Sequence, residues 1–230
     1  MRTSKHSVWS NTHRNLIRPR YYHATNEETA AQDVLEAALE MADRDQEMHK
    51  PPDGISVDEN HVYFYAPILE RQCLELVKLL HKLDIEMGYL QERLGLNYRP
   101  PIHLHIHSPG GDVFSSLNIC DIVRRSKTDI HTYIEGSVAS AATLISMCGV
   151  RRTITSNSFM LLHQPSMIWA GKRDEFIDEI ENQKHIYDKL TKIYLERSKM
   201  KKKELDDLLK HELWLPAERC LELGLVDEIL

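Results

Sequence analysis

The stretch YIEGSVASAATLISMCG, residues 133–149, places Ser140 among glycine and alanine. Its pattern predicts a strand running into Gly136 and a helix beginning at Ser140. Small neighbours let a substrate backbone come close, and the free N–H groups of a helix N-terminus can meet a developing oxyanion. The same position also suits an ordinary N-cap serine before an alanine-rich helix. In SFMLLHQPS, residues 158–166, a strand ends at His163 and Gln-Pro stops it. A histidine at a strand tip, in the loop layer of an α/β sheet, is placed to act as a general base. It equally suits a structural, hydrogen-bonded role.

A third stretch, IHLHIHSPGG at residues 102–111, carries His103, His105 and His107 before a Pro-Gly-Gly turn. Side chains alternate along a strand, so the three imidazoles share one face, with neighbours about 7 Å apart. Two of them could share one zinc ion. Ile102, Leu104 and Ile106 form the opposite, core face, and Asp112 lies beyond the turn with no reason to point back. Partly buried, hydrogen-bonded histidines of a layered sheet account for the pattern without a metal. Ser108 reads as a turn residue. Gly110 and Gly111 complete the Pro-Gly-Gly turn.

These residues need elements to hold them. Ile55–Val57 and His61–Tyr65 flank Asp-Glu-Asn and read as two short strands. After Pro67 a long helix presents Leu69, Cys73, Leu76, Leu80, Leu83, Met87 and Leu90 on one face. A strand over 102–107, a helix over 114–126 and a strand over 130–134 follow. Beyond the helix over 140–148 come strands over 151–155 and 159–163, a long charged helix over about 172–197 and a shorter one over 202–210. Pro216 suits a first helical position, Gly224 a terminator, and Leu225–Leu230 a last strand. Strands alternating with helices predict right-handed crossovers and a mainly parallel sheet.

S-P-G-G-D with a following helix, G-S-V-A-S-A-A, L-H-Q-P and the closing LWLPAERCLELGLVDEIL together resemble the ClpP family, the proteolytic subunit of Clp protease. The resemblance covers about residues 55–230, with the motifs in family order and no gap needed from Gly111 to Ser140. It implies a crotonase-like layered α/β fold in which the helix from about 172 protrudes as a handle. It also implies a serine endopeptidase with Ser140 as nucleophile and His163 as base, and an oxyanion hole made by the backbone N–H groups of Gly111 and Ala141. The family's third member, an aspartate, falls on Glu212 when the chain ending is aligned without gaps. Glutamate orients the histidine in other serine hydrolases. Asp206 and Asp207 are rivals, but they lie inside the preceding helix. The resemblance further implies seven-membered rings paired into a tetradecamer that encloses the sites, peptide and unfolded protein as substrates, and an AAA+ unfoldase as partner. Three other readings remain open: an inactive structural ring subunit, a ClpP-like phage maturation protease, and a crotonase-type enzyme acting on acyl-CoA.

The composition fits this picture. At 42% hydrophobic and 28% charged residues the chain reads as globular, and its formal charge of -6 gives no general attraction to nucleic acid or an anionic membrane. No apolar run nears the ~20 residues that span a bilayer, and the start lacks the hydrophobic region of a signal peptide. No G-x-x-x-x-G-K-[ST] is present, so any use of ATP falls to a partner. No metal or cofactor is expected. Cys73, Cys120, Cys148 and Cys220 lie far apart in apolar helical patterns, which suits buried thiols and a reducing, cytoplasmic setting.

Residues 1–54 read as an extension. Residues 1–25 carry Arg2, Lys5, Arg14, Arg18 and Arg20 without an acid, whereas residues 26–60 carry eleven acids against Arg44 and Lys50. Thr25-Asn-Glu-Glu28 has capping-box spacing, ahead of a partly apolar helix bearing Val34, Leu35, Leu39 and Met41. A targeting, docking or processed segment and a mobile tail are all compatible with this pattern.

Overall fold

The computed structural model describes residues 54–230 apart from Trp169, so the acid-free start and the helix expected near Val34 lie outside the described residues. The elements run β1 (Ile55–Asp58), β2 (His61–Phe64), α1 (Glu70–Leu94), β3 (Ile102–Ser108), α2 (Val113–Arg125), β4 (Ile130–Ala139), α3 (Ala141–Cys148) and β5 (Arg151–Ile154). They continue with β6 (Phe159–Leu161), α4 (Arg173–Arg197), α5 (Lys202–Leu209), β7 (Trp214–Pro216), α6 (Ala217–Leu223) and β8 (Glu228–Ile229).

The main sheet has the order β1-β2-β3-β4-β5-β8, and β2 through β8 run parallel. Strand β1 pairs antiparallel with β2, the two joined by a tight turn. One face of the sheet is aliphatic: Leu104, Ile106 and Ile134 pack with Leu76 and Leu80 of α1, Ile119 of α2, and Leu144 and Ile145 of α3. Helix α1 buries Cys73, Leu76, Leu80, Leu83 and Met87 at the spacing of one helical face. Leu69 caps this helix from an exposed position instead of joining that face, and Gly95 ends it with a left-handed φ of 61°. All four cysteines are free and buried.

The other face of β2, β3 and β4 carries the histidines. His61 stacks on His103 with ring centroids 4.4 Å apart, and His105 lies between Tyr63 and Tyr133 at 4.6 and 4.7 Å. Their nitrogens are taken up by neighbours: His103 Nδ1 lies 2.8 Å from the Tyr133 hydroxyl, and His105 Nδ1 lies 2.8 Å from Glu135 Oε1. His105 Nε2 lies 2.9 Å from His61 Nδ1.

Helix α4 is 25 residues long, and its buried residues (Leu190, Thr191, Ile193 and Tyr194) all fall in its C-terminal half. The N-terminal half leaves Phe176, Ile177 and Ile180 exposed, so it projects as a handle from the body. The alternating order, the parallel sheet and this projecting helix make the architecture the ClpP/crotonase-like α/β fold.

Several boundaries differ from the sequence pattern, and β6 ends at Leu161, two residues short of the expected strand end at His163. Strand β4 continues past Ile134 to Ala139, because it bulges and then changes neighbour from β5 to β6. Trp214–Pro216 forms a strand, so Pro216 caps α6 from outside. The last strand shrinks to Glu228–Ile229, while Gly224 ends α6 with φ 71°.

Candidate active site

Ser140, His163 and Glu212 come together through strand pairing. Beyond its bulge, β4 lies parallel to β6, with Ala139 opposite Leu161. The two strands therefore end side by side, and the Ser140 N–H donates to the Leu161 carbonyl at 2.8 Å. His163 follows Leu161 by two residues, and its Nε2 lies 2.8 Å from Ser140 Oγ.

Ser140 has φ 54° and ψ -130°, and Glu59 is the other non-glycine residue with positive φ among the described residues. Such a conformation costs about 1–3 kcal/mol and persists where its surroundings impose it. Here the Leu161 carbonyl holds the Ser140 N–H, while the Thr143 N–H and hydroxyl donate to the Ser140 carbonyl at 3.0 and 2.6 Å. The Thr143 hydroxyl also meets Tyr194 of α4 at 2.6 Å, which ties the start of α3 to the root of the handle.

The third residue follows from an antiparallel register. Phe159 faces Pro216, Met160 faces Leu215 and Leu161 faces Trp214 along β6 and β7. Two further steps set His163 opposite Glu212, and His163 Nδ1 lies 3.3 Å from Glu212 Oε1. The Gln164 N–H donates to Leu209 at 3.0 Å and holds the two chain segments together just beyond this pair. The Glu212 side chain is 77% exposed, so water shares its carboxylate with the imidazole. Both rival acids hold other partners. Asp206 accepts from the Tyr187 hydroxyl at 2.8 Å and from Lys202, and Asp207 accepts from Lys210 Nζ at 2.9 Å.

The S-P-G-G turn lies against the serine. Gly110 has φ 92°, and a Cβ there would come within 2.7 Å of both the Ala139 carbonyl and Ser140 Cβ. Gly111 is pinned through its neighbours: the Ile68 N–H donates to the Gly110 carbonyl at 2.8 Å, and the Asp112 N–H donates to the Ile68 carbonyl at 2.9 Å. Among the described residues the Gly111 N–H has no hydrogen-bond partner. Ala141 opens α3, where no carbonyl four residues back is available to its N–H. Ser108 is buried, and its Oγ accepts from the Gly110 N–H at 3.2 Å, the turn role its position suggests. Asp112 caps α2 by accepting from the Ser115 N–H at 2.7 Å.

A serine hydroxyl, an imidazole and a carboxylate in sequence, beside two adjacent glycines and a helix N-terminus, are an arrangement of the kind nucleophilic catalysis uses, here on a crotonase-like frame. Residues 58–230 match the family model described as Clp protease, and the chain belongs to that family. It is 25% identical over 190 residues to the ATP-dependent Clp protease proteolytic subunit 1 of Chlamydia trachomatis, which covers 80% of this chain and 94% of that protein. The protein of the same name from Chlamydia caviae is 26% identical over 197 residues, covering 81% and 96%. That from Chlamydia muridarum is 24% identical over 190 residues, covering 80% and 94%.

Sequence reasoning missed the residues that hold Ser140 in place. Leu161 acts through its carbonyl, which no side-chain pattern reveals. Thr143 has an i+3 spacing from Ser140 that could have suggested a bond back to its carbonyl. Among the described residues no helix is long and apolar enough to cross a membrane.

Proposed function

We propose that this chain is a ClpP-type serine endopeptidase whose domain spans residues 55–230, with residues 1–54 as an extension. The observation that carries this reading is the unbroken contact from Ser140 Oγ through His163 to Glu212. His163 Nε2 takes the proton of Ser140 as its oxygen attacks a peptide carbonyl. The tetrahedral oxyanion forms beside the N–H groups of Gly111 and Ala141, its backbone donors. His163 then protonates the leaving amine. A water molecule, deprotonated by the same imidazole, releases the acyl group. Glu212 accepts from His163 Nδ1–H and keeps the proton-accepting nitrogen turned toward Ser140.

The relatives are named as proteolytic subunits of an ATP-dependent protease, and on that ground the substrates are peptides and unfolded proteins delivered by an AAA+ unfoldase. The exposed Phe176, Ile177 and Ile180 of the handle suit self-association into paired heptameric rings, a tetradecamer working in the cytoplasm. The exposure of Glu212 favours one competing reading, a structural ring subunit with little activity of its own.

Labelling with a fluorophosphonate, alongside hydrolysis of a fluorogenic peptide, tests the proposal. The wild-type chain takes the label and Ser140→Ala does not. Equal labelling of the variant moves the nucleophile elsewhere, and no labelling of the wild-type chain leaves the structural subunit.

A further inference from the structure

The bulge in β4 is built around the side chain of His107. From Ile106 to Ser108 on β3, the partner strand runs from Ile134 to Val138, two residues more. Glu135, Gly136 and Ser137 bow out opposite the single residue His107. The imidazole fills the bow: its Nδ1 receives the Ser137 N–H at 3.1 Å and lies 3.0 Å from the Glu135 carbonyl oxygen. Gly136 makes room, since a Cβ there would come within 2.8 Å of Nδ1, and its φ of 68° is a conformation that favours glycine. Past the bow, β4 leaves β5, pairs with β6 and delivers Ser140 beside His163 three residues after Ser137.

We propose that His107 is a positioning residue for Ser140, with its unprotonated Nδ1 holding the β4 bulge, and that a proton on this nitrogen acts as an acid switch on the nucleophile. The inference rests on the peptidase reading above. One ring nitrogen serves one partner at a time. Without a proton, Nδ1 accepts from Ser137. With one, it donates to the Glu135 carbonyl and the Ser137 N–H loses its acceptor, so the turn leading to Ser140 is re-bonded. The charged and titratable groups facing the ring are few. Tyr65, just after β2, has its ring centroid 5.5 Å from that of His107. The Glu135 carboxylate of β4 is held by the Tyr65 hydroxyl and by His105, the next residue on the same face of β3. His107 itself is exposed, so solvent protons reach it.

The test compares the full-length wild-type chain with His107→Asn and His107→Leu. The amide oxygen of asparagine can accept the Ser137 N–H and does not titrate; leucine offers no acceptor. Fluorophosphonate labelling rates are followed from about pH 8 to about pH 5, where histidines change charge. The expected wild-type decline is steeper than a single protonation allows, because the switch adds to the ordinary loss of the general base in acid. His107→Asn keeps the rate within about threefold at the alkaline end and declines with a single protonation. His107→Leu loses about tenfold or more in kcat with KM unchanged, as a displaced nucleophile requires. Hydrogen exchange at the Ser137 amide gives a readout independent of activity: slow in the wild type and His107→Asn, fast in His107→Leu. An asparagine variant whose acid decline parallels the wild type overturns the switch, and unchanged Ser137 exchange in the leucine variant overturns the positioning role. If the leucine variant does not fold, the pH profile of the asparagine variant decides alone. Failure of the peptidase reading is distinct, because then the wild-type chain takes no label while the exchange result still stands.

Discussion

Gly110 and Ser140 lie against each other closely enough that a Cβ on the glycine would come within 2.7 Å of the serine Cβ. The S-P-G-G turn at the end of β3 and the serine at the end of β4 are thus two sides of one construction, and neither can move without the other. Gly110→Ala must displace Ser140, the Ala139 carbonyl or the turn itself. The expected loss in kcat/KM for peptide hydrolysis is about 100-fold or more, comparable to loss of an oxyanion donor. Steady-state kinetics check it, with circular dichroism to show that the fold persists.

Glu212→Gln removes the negative charge that faces His163 Nδ1. In a buried triad such a change costs about 10⁴ in kcat, because the imidazole adopts the wrong tautomer. Glu212 is largely exposed and its contact is 3.3 Å, so water replaces part of what it does. A smaller fall in kcat, about 10–100-fold, is expected, with KM little changed. A wild-type rate would assign the orientation of His163 to solvent.

The histidine face predicts a loss of stability in mild acid. Burial, followed by the neighbouring His61, His131 and His105, pushes His103 down to about 4, and burial also lowers His131. The unfolded chain, with ordinary histidines near 6.5, takes up these protons first. Stability is therefore present in full above pH 6.5 and declines as pH falls toward about 4. Burial works to raise Asp84 and Asp227, yet hydrogen bonds and nearby arginines together hold both below the usual carboxylate value, so their contribution is lost only at lower pH. Urea unfolding across this range should show the decline, and His103→Phe, which keeps a flat ring on His61, should make it shallower.

Arg152 is buried, and its guanidinium donates to Asp227, to the Arg197 carbonyl and to the Gly224 carbonyl at 2.9 Å. This one side chain ties β5, the end of α4 and the segment before β8 together. Asp227→Asn leaves the buried cation without its counter-charge and is expected to cost about 3 kcal/mol. Chemical denaturation measures this, and labelling of the remaining folded protein at Ser140 should be unaffected.

The helices and central strands could be read from the chain because hydrophobic periodicity is a local property. The face of α1 from Cys73 to Met87, the aliphatic face of β3, the long α4 and the stop at Gly224 all stood in the residue order. Ser140, His163 and Gly111 stood out only through the resemblance of their motifs taken together, since Ser140 and His163 each suit a structural role as well. The sequence could order the candidates for the acid but could not bring one to the imidazole. Glu212 reaches His163 through the antiparallel register of β6 and β7, and β7 is too short to show a period of its own. The bulge in β4, the positive φ of Ser140 and the fit of His107 into the bow likewise arise from pairing between segments distant in the chain. Local pattern determined which residues form the elements. Strand register, a relation between separate segments, decided which side chains meet.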